Sequence, residues 1–136
     1  MNRYKWFVVL AVSVGCSGGK ASNTDAEPEP ATKPGPSGAE CPSDSTLTYE
    51  TFARDFFSQY CVRCHSSTLE GTSRHGAPTS VNYDTLEGAQ AVSSDIVDSM
   101  AAAGPEQYNA FMPPADPRPS RDEREQLGQW LACGRP

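Results

Sequence analysis

Apolar side chains gather in four stretches of the 136-residue chain, and the segments between them are rich in Gly, Pro, Ser and Thr. The first runs from Trp6 to Val14, behind the cations Arg3 and Lys5. It is too short for a helix across a bilayer, which needs about 20 apolar residues. A short apolar run behind positive charge is the pattern of an export signal, here residues 1–15. The second stretch begins at Thr48, an N-cap candidate with Leu47 and Phe52 in hydrophobic-staple positions. Phe52, Phe56 and Tyr60 then fall at i, i+4 and i+8, which predicts a helix to about Tyr60 with one aromatic face. In the third, Asp84 and Glu87 have capping-box spacing, and Ala89, Val92, Ile96, Met100 and Ala103 recur every three or four residues. This is one helix, or two broken near Ser93-Ser94, and Gly104-Pro105 ends it. The fourth opens on Ser120 with Glu123 in capping-box spacing, puts Leu127, Trp130 and Leu131 on one face, and stops at Gly134. No stretch sustains period-two alternation. The prediction is a small all-α domain with long loops at 71–82 and 113–119.

Residues 16–40 hold almost no large apolar side chain, and prolines recur from Pro28 to Pro36. Such a segment buries too little surface to offset its ordering entropy and reads as a semi-stiff, disordered linker. That leaves 41–136 as the folded domain, a size at which the core is thin and a covalent staple or buried cofactor helps. The domain carries seven Lys and Arg against thirteen Asp and Glu, within a chain of net charge −6. This balance disfavours nucleic acid and directs the search for partners toward basic docking surfaces.

The five cysteines divide into three groups. Cys16 ends Ser13-Val14-Gly15-Cys16, which resembles a bacterial lipobox with Ser13 where Leu is usual. It predicts lipidation of Cys16 and a membrane anchor; the alternative is an ordinary signal cut that discards Cys16. Cys41 and Cys133 bracket the folded region, and an exported chain meets an oxidising compartment. A Cys41–Cys133 disulfide would close a loop of about 92 residues, for roughly 4.6 kcal/mol in the chain-entropy treatment; two free thiols are the alternative.

The remaining pair lies in Cys61-Val62-Arg63-Cys64-His65, the Cys-x-x-Cys-His pattern of haem c attachment. Two thiols three residues apart reach the two vinyl groups of one porphyrin edge, and the next histidine is held where its imidazole meets iron. A thioredoxin-like redox pair lacks its βαβ surroundings here. A zinc site could draw on Cys61, Cys64, His65 and His75. The adjoining histidine and the export signal favour haem c, one per chain. For the second axial position, Met112 sits in Phe111-Met112-Pro113-Pro114, where prolines stiffen the backbone. His75 and an open sixth position are the alternatives, and Met100 reads as core.

A Cys-x-x-Cys-His after a helix, a Met-Pro loop further on and a C-terminal helix with an apolar face together resemble class I cytochrome c, over residues 48–136. The Met-Pro-Pro and terminal Trp-Leu-x-Cys-Gly features are similar to cytochrome-like lipoproteins of some environmental bacteria. The resemblance implies thioethers at Cys61 and Cys64, His65 as proximal ligand and Met112 as distal ligand. It implies crossed terminal helices, with Phe52 or Phe56 near Trp130 and Leu131, Ala53 where the family has Gly, and Cys41 close to Cys133. Pro78 would offer the carbonyl that fixes the proximal imidazole, and Arg74 would meet a haem propionate or lie solvated. His/Met ligation fills the iron and implies electron transfer at the periplasmic face of a bacterial membrane, with no catalysis. A haem enzyme or gas sensor with an open sixth site, with Arg74 and His75 as distal pair, is the alternative.

Overall fold

A computed structural model describes residues 28–136. The predicted signal, Cys16 and the linker up to residue 27 lie outside the described residues. Among the described residues the chain is helical without a strand, with one isolated bridge between Ala103 and Tyr108. None of these helices is long and apolar enough to cross a membrane.

Thr48 caps the first helix. Its Oγ1 accepts from the Thr51 amide at 3.1 Å, and Thr51 Oγ1 accepts from the Thr48 amide at 2.8 Å. The opening turn, Tyr49–Ala53, is wound as a π-helix before α1, Arg54–Tyr60. A wide turn of this kind rotates everything after it. Phe57, one place along from the predicted face, is therefore driven into the core together with Phe56 and Tyr60. It stacks on Tyr83 at 4.7 Å and meets Trp130 edge-on at 5.7 Å. This corrects the expectation that Phe52 or Phe56 would face Trp130; those two rings pack on each other, and Phe52 is half-buried.

Of the two readings of 84–103, the pair of helices broken near Ser93-Ser94 is the one found. Val92 is extended, separating α2, Leu86–Ala91, from α3, Ser94–Ala101. Thr85, not Asp84, caps α2, accepting from the Gly88 amide at 3.1 Å. Asp84 is engaged elsewhere, taking the Ser67 amide at 2.6 Å. The break also resets the apolar register, so Val97 is buried and Ile96 is 57% exposed.

The last helix, α4, spans Arg121–Ala132 with a Ser120/Glu123 capping box and Leu127, Trp130 and Leu131 buried. Its backbone approaches the chain leaving α3 so closely that a Cβ on Gly128 would lie 2.8 Å from the Ala103 carbonyl oxygen. The Cys41–Cys133 disulfide closes the end of α4. The folded unit starts earlier than the predicted linker boundary at 40. Residues 31–39 form an extended strap over the 98–109 segment. Ser37 is fully buried, donating its amide to Asp98 at 2.7 Å, and Gln107 and Asn109 donate to the Lys33 and Gly35 carbonyls. Proline-rich chain lacks a core of its own but supplies carbonyls, and these side chains claim them.

Glu123 joins α1 to α4. It accepts from the Ser120 amide and hydroxyl at 2.7 and 2.8 Å and from the Tyr60 hydroxyl at 2.8 Å. Burial pushes its carboxyl up, but these bonds outweigh it and hold the group below the usual glutamate value. A depressed folded value stabilises the fold above the ordinary glutamate pKa of about 4.3, and the contribution disappears as pH falls through the folded value. Unfolding by urea across this acid range should show Glu123→Gln with a flatter pH dependence than the parent. Helix propensity alone would have Gly128→Ala stabilise α4 by about 1 kcal/mol. Contact with the Ala103 backbone reverses the sign, and a net loss of about 1–2 kcal/mol is expected from urea midpoints followed by circular dichroism.

Candidate functional site

Helix α1 ends at Cys61, whose amide reaches the Phe57 carbonyl at 2.8 Å. The chain then coils once more, with the Cys64 and His65 amides both on the Cys61 carbonyl at 3.1 and 2.9 Å. One tight turn thus carries Cys61, Cys64 and His65. Both cysteines are free and half-buried. Burial pushes the Cys61 thiol up to about 12, against the smaller pull of Arg124 and Arg63. A dithiol redox centre needs a thiolate, so this environment does not suit one.

The His65 imidazole has Nδ1 3.3 Å from the Val81 carbonyl oxygen. A carbonyl only accepts, so Nδ1 carries the proton and Nε2 presents its lone pair. Burial lowers the His65 pKa, the Val81 contact opposes this, and nearby Arg74 adds to it, which favours the neutral ring that a metal requires. Tyr83 braces the imidazole edge-on at 5.5 Å. The carbonyl at the imidazole is therefore Val81 and not Pro78, and Arg74 Nη2 donates to both oxygens, at 2.9 and 2.6 Å.

Arg74 explains that arrangement. It is 3% exposed, and its guanidinium donates to the carbonyls of Ser66, Leu69, Ala77, Pro78 and Val81 and to Asn82 Oδ1. It is neither solvated nor free for a propionate. The loop from 66 to 82 is wound around this one cation, and the Val81 carbonyl that it holds also faces the imidazole. The available sequence signal was a lone arginine with no acidic residue from Gly71 to Asn82, in a stretch whose carbonyls lack ladder partners.

Met112 is 38% exposed, an unusual state for a large apolar side chain. Its backbone is nonetheless fixed, with the amide on the Met100 carbonyl at 2.9 Å and the carbonyl receiving Arg124 Nη1 at 2.8 Å. Arg63, inside the Cys-x-x-Cys-His turn, donates both Nη atoms to the Ala115 and Asp116 carbonyls. The turn and the Met112 loop are thereby tied together. His75 stays exposed at φ 51° on the far loop, and among the described residues no three His, Cys, Asp or Glu side chains converge as a metal site. The four-ligand zinc grouping with His75 is not assembled. Two grooves, of about 400 and 290 Å³, follow the strap beside Arg121 and include none of Cys61, Cys64, His65 or Met112.

Removing the Arg74 guanidinium strands several carbonyls at once. Arg74→Met should cost roughly 2–4 kcal/mol in the urea midpoint, with faster amide exchange confined first to 66–82; an unchanged midpoint would mean that water replaces the cation. Compared with known proteins, the chain matches no family, no curated protein and no solved structure.

Proposed function

We propose that the chain is an exported electron carrier of the cytochrome c kind, with one haem c joined to Cys61 and Cys64 and ligated by His65 and Met112. The observation that carries this reading is the single turn holding two free thiols and a neutral imidazole with its Nε2 unused, tied through Arg63 to the loop of a partly exposed methionine. Two of these features fit a flat apolar group at that place. Both thiols are free for thioether formation. Met112 is apolar and partly exposed, although its backbone is held on both sides.

Iron held between an imidazole and a thioether supplies one-electron exchange and offers no position to a substrate. The residues of the chain set up that state. Cys61 and Cys64 retain the group, Val81 and Tyr83 orient the His65 ring, and the stiff Met-Pro-Pro backbone presents the thioether. The enzyme or gas-sensor alternative loses one support, because Arg74 is consumed by the loop and His75 is turned to solvent. An acidic domain suits redox partners with basic surfaces, approached at salt-dependent rates, and does not suit nucleic acid. Lipid at Cys16 would hold the carrier at the periplasmic face of a bacterial membrane.

Expression with export and haem attachment tests the reading. The denatured protein should retain the mass of one haem, with one link lost in each of Cys61→Ala and Cys64→Ala. The ferric protein should show a far-red sulfur-to-iron band that disappears in Met112→Ala. Immediate carbon monoxide binding by the untreated ferrous protein would instead support an open sixth site.

A further inference from the structure

The segment between α3 and α4 has to deliver Met112, yet it contains no helix and only one isolated bridge. Two fully buried polar side chains hold it. Asn109 donates Nδ2 to the Gly35 and Asp98 carbonyls at 2.8 and 3.0 Å and accepts from Gln107 at 2.7 Å. Arg124, on the inner face of α4 and 1% exposed, donates from Nη1 to the carbonyls of Ala101, Asn109 and Met112 at 2.8, 3.1 and 2.8 Å. These three oxygens span the departure from α3, the middle of the segment and the methionine itself.

The choice of residue is costly in ordinary stability terms. Arg124 has no carboxylate partner among the described residues, and its Nε is buried without an acceptor. A buried cation carries a desolvation penalty that an apolar side chain on the same helix face would avoid. Its return is geometric, because a planar guanidinium fixes several carbonyls in one orientation.

We infer that Arg124 is a positioning residue for Met112, holding the distal loop at the distance where its thioether stays on iron. This rests on the haem reading given above. Arg124 acts through the backbone at 101, 109 and 112 and touches no part of the cofactor. Loosening it raises the rate and extent at which Met112 swings away, so an outside ligand competes better for the sixth position.

The test uses the full-length haem-loaded protein, with free imidazole as the competing ligand and the far-red sulfur band as readout. Arg124→Gln should bind imidazole at least about tenfold more tightly than the parent, the equivalent of one lost charged hydrogen bond. Arg124→Lys keeps a cation with three donors and should stay within about threefold. The double variant Cys41→Ser/Cys133→Ser lowers the urea midpoint without touching 101–112 and should leave imidazole affinity unchanged. Should Arg124→Gln not fold, Asn109→Ala loosens the same segment from the strap side and should show the same tightening. Parental affinity in folded Arg124→Gln, or equal tightening in the disulfide variant, overturns the inference while leaving Met112 ligation intact. A parent with no sulfur band overturns both.

Discussion

Backbone carbonyls in irregular chain need donors, and in this fold arginine supplies them. Five of the seven arginines after Cys41 donate to main-chain oxygens: Arg63, Arg74, Arg118, Arg124 and Arg135. Only Arg54 and Arg121 have a carboxylate as their main partner. A helical protein with long Gly/Pro loops has no ladder to absorb its C=O groups, and burying them unpaired costs about 1–3 kcal/mol each. One guanidinium with five N–H donors closes a loop that would otherwise require a strand. Because arginine keeps its charge across the ordinary pH range, these ties persist where carboxylate-dependent ones fail.

The same device organises the candidate site. Arg74 shapes the loop below the His65 imidazole, Arg63 bridges the turn to the Met112 loop, and Arg124 holds that loop from behind. The two candidate axial residues are thus set by different cations on different elements. Aromatic packing of Phe57 between Tyr83 and Trp130 supplies the floor against which the His65 ring rests through Tyr83.

What the sequence revealed was local. The Thr48 and Ser120 caps, the end of the first helix at Tyr60, the apolar face of α4 and the grouping of Cys61, Cys64 and His65 all depend on spacing within a few residues. The misreadings come from partners and breaks that spacing alone does not encode. Asp84 lost its cap role to the amide of Ser67, seventeen positions away. Ile96 fell out of register because Val92 is extended, which periodicity across 84–103 smooths over. The carbonyl at the ring is that of Val81 and not of Pro78, in a loop whose course Arg74 holds through both. Arg124 gave no signal at all, since an arginine in a polar-looking helix reads as solvated until the helix face is known.

The strap over residues 31–39 alters a length scale. Taken from composition, the chain between an anchor at Cys16 and the folded domain at Cys41 could extend about 85 Å at full stretch. With Ala31 already bonded to the Tyr108 carbonyl at 2.8 Å, the chain is held to the fold some ten residues sooner. The remaining fifteen or so residues reach about 50 Å. If the chain is the lipid-anchored carrier proposed above, the shorter leash would let it sample a hemisphere of roughly one-fifth the volume, raising its local concentration toward partners in the same bilayer and putting those on an opposing membrane further out of range.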